Sequence, residues 1–104
     1  MSKLVRTEES YLKLLAQTTK AQQKALTDTI MLKQLKALVE ISVNLLKGNI
    51  ILSTKQKSEL NKHRKFYRFL ANLNISISAK RKSVCYRYTA LALLVQVSLE
   101  TWKK

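Results

Sequence analysis

The chain predicts an all-α fold, a small bundle of three to four helices in one domain of 104 residues. Three observations carry this. There is one glycine and no proline, so few residues interrupt a helix. Apolar side chains recur at helical spacing over residues 29–47 and again over 54–72. Between these stretches lies a hinge with helix signals on both sides. Gly48 follows the first run, with Lys47 in its last turn, which is a C-cap pattern. Ser53-Thr54-Lys55-Gln56 then fits a capping box, with Ser53 as N-cap.

In chain order, residues 1–6 read as a frayed end. Thr7 can cap a first helix whose opening turn holds Glu8 and Glu9, where acids suit the helix dipole. Tyr11, Leu14, Leu15 and Leu26 give it a thin apolar stripe. Thr27-Asp28-Thr29 marks its end and offers a cap to the next helix; one bent helix over residues 8–47 is the alternative. On a helical wheel of residues 29–47, Lys33, Lys36, Glu40, Asn44 and Lys47 share one narrow polar face. An apolar arc as wide as the remainder belongs to a helix buried on several sides, so this one is expected at the centre. Leu35, Leu38, Val39, Ser42 and Leu45 are its expected core set.

The third helix, residues 54–72, carries Leu60, Phe66, Tyr67, Leu70, Ala71 and Leu73 on one side and Lys57, Arg64, Lys65 and Arg68, with Asn61 among them, on the other. Residues 72–78 read as a loop whose Ile/Ser alternation has no evident partner strand, and Ser78 can cap a fourth helix from Ala79. That last segment, residues 79–104, is basic at Lys80-Arg81-Lys82 and then apolar on all sides from Ala90 to Leu99. The apolar run suits bundle core, a partner-docking surface or an interfacial anchor. It falls short of the roughly 18 apolar residues a spanning helix needs. Trp102 followed by Lys103-Lys104 fits a membrane interface and equally an amphipathic helix end.

Charge is the outlying property. Twenty Lys and Arg against six Asp and Glu give +14, which favours a polyanionic partner: nucleic acid, anionic lipid or an acidic protein. Residues 1–49 hold eight basic and four acidic side chains, whereas residues 50–104 hold twelve and two. The binding surface is therefore expected in the second half. Lys55, Lys57, Lys62, Arg64, Lys65 and Arg68 form a stripe interrupted by one acid, Glu59; Lys80, Arg81, Lys82 and Arg87 form a second cluster. Such side chains neutralise phosphates and release counterions without reading sequence. Phe66, Tyr67 and Phe69 interleave with the stripe and could stack on bases, although their helical spacing fits core packing better.

Catalysis is not expected. A triad, an acid–base pair or a metal site needs convergent His, Cys, Asp or Glu residues. The chain has one histidine, one cysteine and scattered acids, and no glycine-rich phosphate loop. Glu59 and His63, four residues apart, read as a local contact, with His63 hydrogen-bonded and partly buried against Tyr67 and Leu70. Cys85 reads as a small apolar filler; basic Lys82 and Arg87 nearby could lower its pKa. Alone, it makes no intrachain disulfide. No signal-peptide apolar region follows the N-terminus.

Leu35-Lys36-Ala37-Leu38-Val39-Glu40-Ile41, Asn44-Leu45-Leu46-Lys47-Gly48-Asn49-Ile50, Leu52-Ser53, Gln56-Lys57, Lys62-His63-Arg64 and Leu70-Ala71 resemble a family of small basic proteins. These are encoded by Polinton (Maverick) elements and adintovirus-like DNA viruses. The resemblance spans about residues 20–82, and the Asn44–Ile50 string is its most specific part. Other members often continue into a Gly-Gly-Phe-Leu-Pro segment and an apolar tail similar to the precursor of adenovirus core protein X (mu). This chain instead reads Ser83-Val84-Cys85-Tyr86-Arg87-Tyr88 there. The resemblance implies a DNA-associated role in a virion core, in the nucleus or the virus particle.

The expectation is thus a non-enzymatic protein that binds or packages DNA, sequence-independently and without a cofactor. Its binding residues would be Lys55, Lys57, Lys62, Arg64, Lys65, Arg68, Lys80, Arg81, Lys82 and Arg87. Partnership with further copies or with a capsid or core protein is open to it, as is a membrane surface. The alternative is a helical interaction protein that docks on a protein or membrane through residues 88–102, with Tyr88, Leu91, Leu94, Val95, Leu99 and Trp102 as the contacts.

Overall fold

The computed structural model describes residues 3–102, with side chains through residue 100. The fold is all-α, as expected. The described residues form α1 (Lys3–Thr7), α2 (Glu9–Gln17), α3 (Lys20–Asp28), α4 (Leu32–Leu46), α5 (Thr54–Asn61), α6 (Arg64–Ala71), α7 (Ile77–Tyr86) and α8 (Tyr88–Trp102). Three of the four expected helical segments are broken into shorter pieces. The breaks let short helices wrap a centre instead of lying side by side, and the Cα radius of gyration is 12.4 Å, about that of any globular domain this long.

The local chemistry of each break is visible. Thr19 caps α3 through a reciprocal box: its hydroxyl accepts from the Gln22 amide at 3.3 Å, and the Gln22 side chain accepts from the Thr19 amide at 3.3 Å. Ser53 does the same for α5 with Gln56, at 3.2 and 2.9 Å. Ser76 caps α7 by accepting from the Ala79 amide, so the helix opens two residues before Ser78 would have opened it. Thr7 closes α1, its hydroxyl donating to the Lys3 carbonyl, and Glu8 stands at the N-cap of α2. Met31 precedes α4 where Thr27 or Asp28 was expected; Thr27 is fully buried at the end of α3 and donates to Lys24.

At the hinge, Gly48 adopts φ +77°. Its amide donates to Leu45 and the Asn49 amide to Asn44. These are the two bonds of a Schellman motif, which satisfy carbonyls the helix end would otherwise strand.

The centre of the bundle is α8, which corrects the expectation that residues 29–47 lie there. It packs against α2, α3, α4, α5 and α7. Ala90, Leu91, Ala92, Leu94, Val95, Val97, Ser98 and Leu99 are all buried, so a helix apolar around most of its circumference is covered around most of it; a narrow stripe at Thr89, Leu93, Gln96 and Glu100 reaches solvent, Leu93 in part. The docking surface expected at Leu91, Leu94, Val95 and Leu99 is therefore the core of the protein. Tyr88 is half-buried at the start of the helix, and the Trp102 side chain lies outside the described side chains. Among the described residues no helix is long and apolar enough to cross a membrane.

Helix α4 packs on α6, α1 and α8. Its best-buried positions are Leu35, Ala37, Leu38, Ile41 and Ser42, while Val39 and Leu45 are half-buried. Its apolar ends reach solvent at Leu32 and Leu46. Residues 3–6 are not frayed: Val5 of α1 is fully buried against the rest. Side-chain hydrogen bonds fasten the centre to its wrapping. Tyr67 donates to the Ala90 carbonyl at 2.7 Å, Gln96 to Ala16 at 2.6 Å, and Gln56 to the Glu100 carboxylate at 2.7 Å.

Candidate nucleic-acid interface

Helices α5 and α6 arise from one basic, aromatic stretch, and the fold sorts its side chains by polarity. Leu60, Phe66, Tyr67 and Leu70 go inward and are buried. Lys55, Lys57, Lys62, Arg64, Lys65 and Arg68 stay in water, all exposed. None of the six stands in an ion pair among the described residues. The ion pairs found are Lys13–Glu9 at 3.2 Å and Lys24–Asp28 at 3.0 Å, both in the first half of the chain. A solvated helix face usually interleaves both signs, as those two pairs do; α5 and α6 hold one acid, Glu59, and among the described residues it makes no ion pair with their cations.

The second basic cluster does not extend this surface as a block. Successive helical residues point about 100° apart, so Lys80, Arg81 and Lys82 cannot all face outward from a helix packed on α3 and α8. Lys80 is buried, at 3% exposure. Arg81 is half-buried and donates through its guanidinium to the Ile30 carbonyl, fastening α7 to the segment before α4. Lys82 is exposed, but borders a depression with Lys24 and Asp28 of α3 rather than the cations of α5 and α6. Lys80 and Arg81 are thus structural, a correction to their expected role at phosphates.

Arg87 is the member of that cluster that joins α6. It sits at the break between α7 and α8, exposed, with its guanidinium carbon 5.2 Å above the Phe66 ring centroid. Its Nη2 donates to Nδ1 of His63 at 3.1 Å. An arginine has no acceptor, so this bond requires neutral His63 with its proton on Nε2. Burial, then the nearby charges of Arg87 and Lys62, hold the His63 pKa below its ordinary value. His63 also lies edge-on to Tyr67, ring centroids 6.3 Å apart. The aromatics expected as possible base-stacking platforms are packing residues: Tyr67 is buried and its hydroxyl engaged, Phe66 is buried beneath Arg87, and Phe69 is half-buried.

The Cys85 thiol is half-buried and donates to the carbonyls of Arg81 and Thr27. Burial and the Asp28 carboxylate push its pKa up, opposite to the lowering that its basic sequence neighbours suggested. Among the described residues no three His, Cys, Asp or Glu side chains come together to hold a metal ion. No family model, characterised protein or solved structure matches the chain.

Proposed function

We propose that this protein binds nucleic acid without catalysis and without reading sequence, through phosphate contacts from the cations of α5 and α6 together with Arg87. One observation carries the reading. Lys55, Lys57, Lys62, Arg64, Lys65, Arg68 and Arg87 are exposed, and among the described residues no acid pairs with them. Uncompensated cations held on a rigid scaffold bind polyanions by counterion release. The aromatic side chains between them serve the core, which leaves phosphate contacts, and these carry no base information. DNA is the favoured polymer, and packaging in a virus-like genetic element the favoured setting. Both rest on the resemblance over residues 20–82 to Polinton and adintovirus-like basic proteins.

Fluorescence anisotropy with duplexes of unrelated sequence tests the proposal. Affinities within a few-fold of one another are expected. One duplex bound far tighter than the rest, or no binding at low salt, would count against it.

A further inference from the structure

We infer that the cavity between the end of α4 and the α5–α6 pair is a binding site for a single-chain anionic amphiphile, an acyl chain ending in a carboxylate. The cavity has a volume of about 450 Å³, within the range of roughly 300–1,000 Å³ usual for small-molecule sites. Its lining combines two chemistries. Leu45 and Leu46 from the last turn of α4, Leu52 from the hinge, and Leu60 and Tyr67 make its apolar lining. In the same lining, Lys57 and Arg64 supply two positive charges. Ser58 and Asn61 stand beside these cations and can donate to an oxyanion.

No Asp or Glu is among the described residues lining the cavity. An apolar lining that reaches solvent at Leu46, 39% exposed, and that also carries two cations, is complementary to a ligand with one apolar end and one anionic end. Burial of the chain supplies affinity, and the cations select the head group. Four of the five apolar lining residues are leucine and one is Tyr67, which suits a flexible acyl chain better than a planar ring. Although Lys57 and Arg64 also belong to the proposed phosphate surface, this inference needs no nucleic acid.

The test is a titration of the full chain, followed by amide chemical shifts. Octanoate and decanoate are compared, below their micelle concentrations, with decylammonium and decyl maltoside. Decanoate is expected to bind about 16-fold tighter than octanoate, at about fourfold for each buried methylene, with shifts centred on residues 45–52 and 57–64. Decylammonium and decyl maltoside are expected to bind at least tenfold more weakly. The double reversal Lys57→Glu with Arg64→Glu is expected to abolish decanoate binding at unchanged far-ultraviolet circular dichroism. No binding of either carboxylate, equal binding of decylammonium, or shifts elsewhere on the protein would overturn the inference. The head-group and chain-length arms use the unaltered protein and remain decisive if the reversals unfold it.

Discussion

The guanidinium of Arg87 donates to Nδ1 of His63 at 3.1 Å while covering the face of Phe66. One cation thereby joins the α7–α8 break to the start of α6. The contact exists only while His63 is neutral, because a protonated imidazole has no acceptor to offer.

A pH dependence follows. The His63 pKa is held down in the folded state, so the unfolded chain takes up this proton more readily. The contribution is complete above about pH 6.5, the ordinary histidine value. It is lost as pH falls from there toward the lowered folded value. Thermal midpoints should drop between pH 7 and pH 5, and His63→Gln should remove much of that slope. In Arg87→Met, a nuclear magnetic resonance titration should find the His63 pKa raised, because a repelling charge has gone. An unmoved pKa would show that the contact does not govern the imidazole.

Gly48 gives a sharper local test. A Cβ built there meets nothing within 4 Å, so the cost of a side chain is conformational rather than steric. Gly48→Val should destabilise by about 1 kcal/mol or more, because φ +77° is a backbone region that L-residues avoid. Gly48→Asn should cost less, since asparagine tolerates this region best after glycine. Denaturant midpoints in the reverse order would contradict the hinge assignment.

In the core, Leu38→Ala and Leu94→Ala should each cost roughly 2–5 kcal/mol, both side chains being fully buried on different helices. Tyr67→Phe should cost about 0.5–1.5 kcal/mol, by losing the bond to the Ala90 carbonyl and nothing else of similar size. Urea denaturation measures all three. A Leu94→Ala variant as stable as the parent would mean that α8 is not the centre.

The sequence made some of this legible and hid the rest for physical reasons. The hinge was readable because Gly48 and the Ser53–Gln56 box are local signals whose geometry depends on few neighbours. The box at Thr19 carries the same spacing, Thr19 to Gln22, yet is submerged in a run of polar helix formers that reads as uninterrupted helix. The breaks at His63 and Arg87 carry neither glycine, proline nor a side-chain N-cap; tertiary packing sets them.

The apolar run Ala90–Leu99 was plain in the sequence, but periodicity does not say whether one's own chain or a partner covers it. Here α2, α3, α4, α5 and α7 do. On the candidate surface, the exposure of Lys57, Arg64, Lys65 and Arg68 followed from the wheel, as did their separation from buried Leu60, Tyr67 and Leu70. The burial of Lys80 was less visible, because three consecutive cations read as a charge cluster although a helix must turn at least one of them away.

The central claim is tested most directly by the salt dependence of duplex DNA affinity, for the parent chain and for Arg64→Glu with Arg68→Glu. If Lys55, Lys57, Lys62, Arg64, Lys65, Arg68 and Arg87 each neutralise one phosphate, log K should fall against log salt with a slope of roughly −6. That is a loss of roughly 10⁴ between about 50 and 200 mM salt. Both substituted residues are exposed, so helix content should persist. Every duplex should weaken alike, and the slope should flatten by about 2. Affinity indifferent to salt, or to the double reversal, would contradict the assignment of α5 and α6 as a phosphate-binding surface.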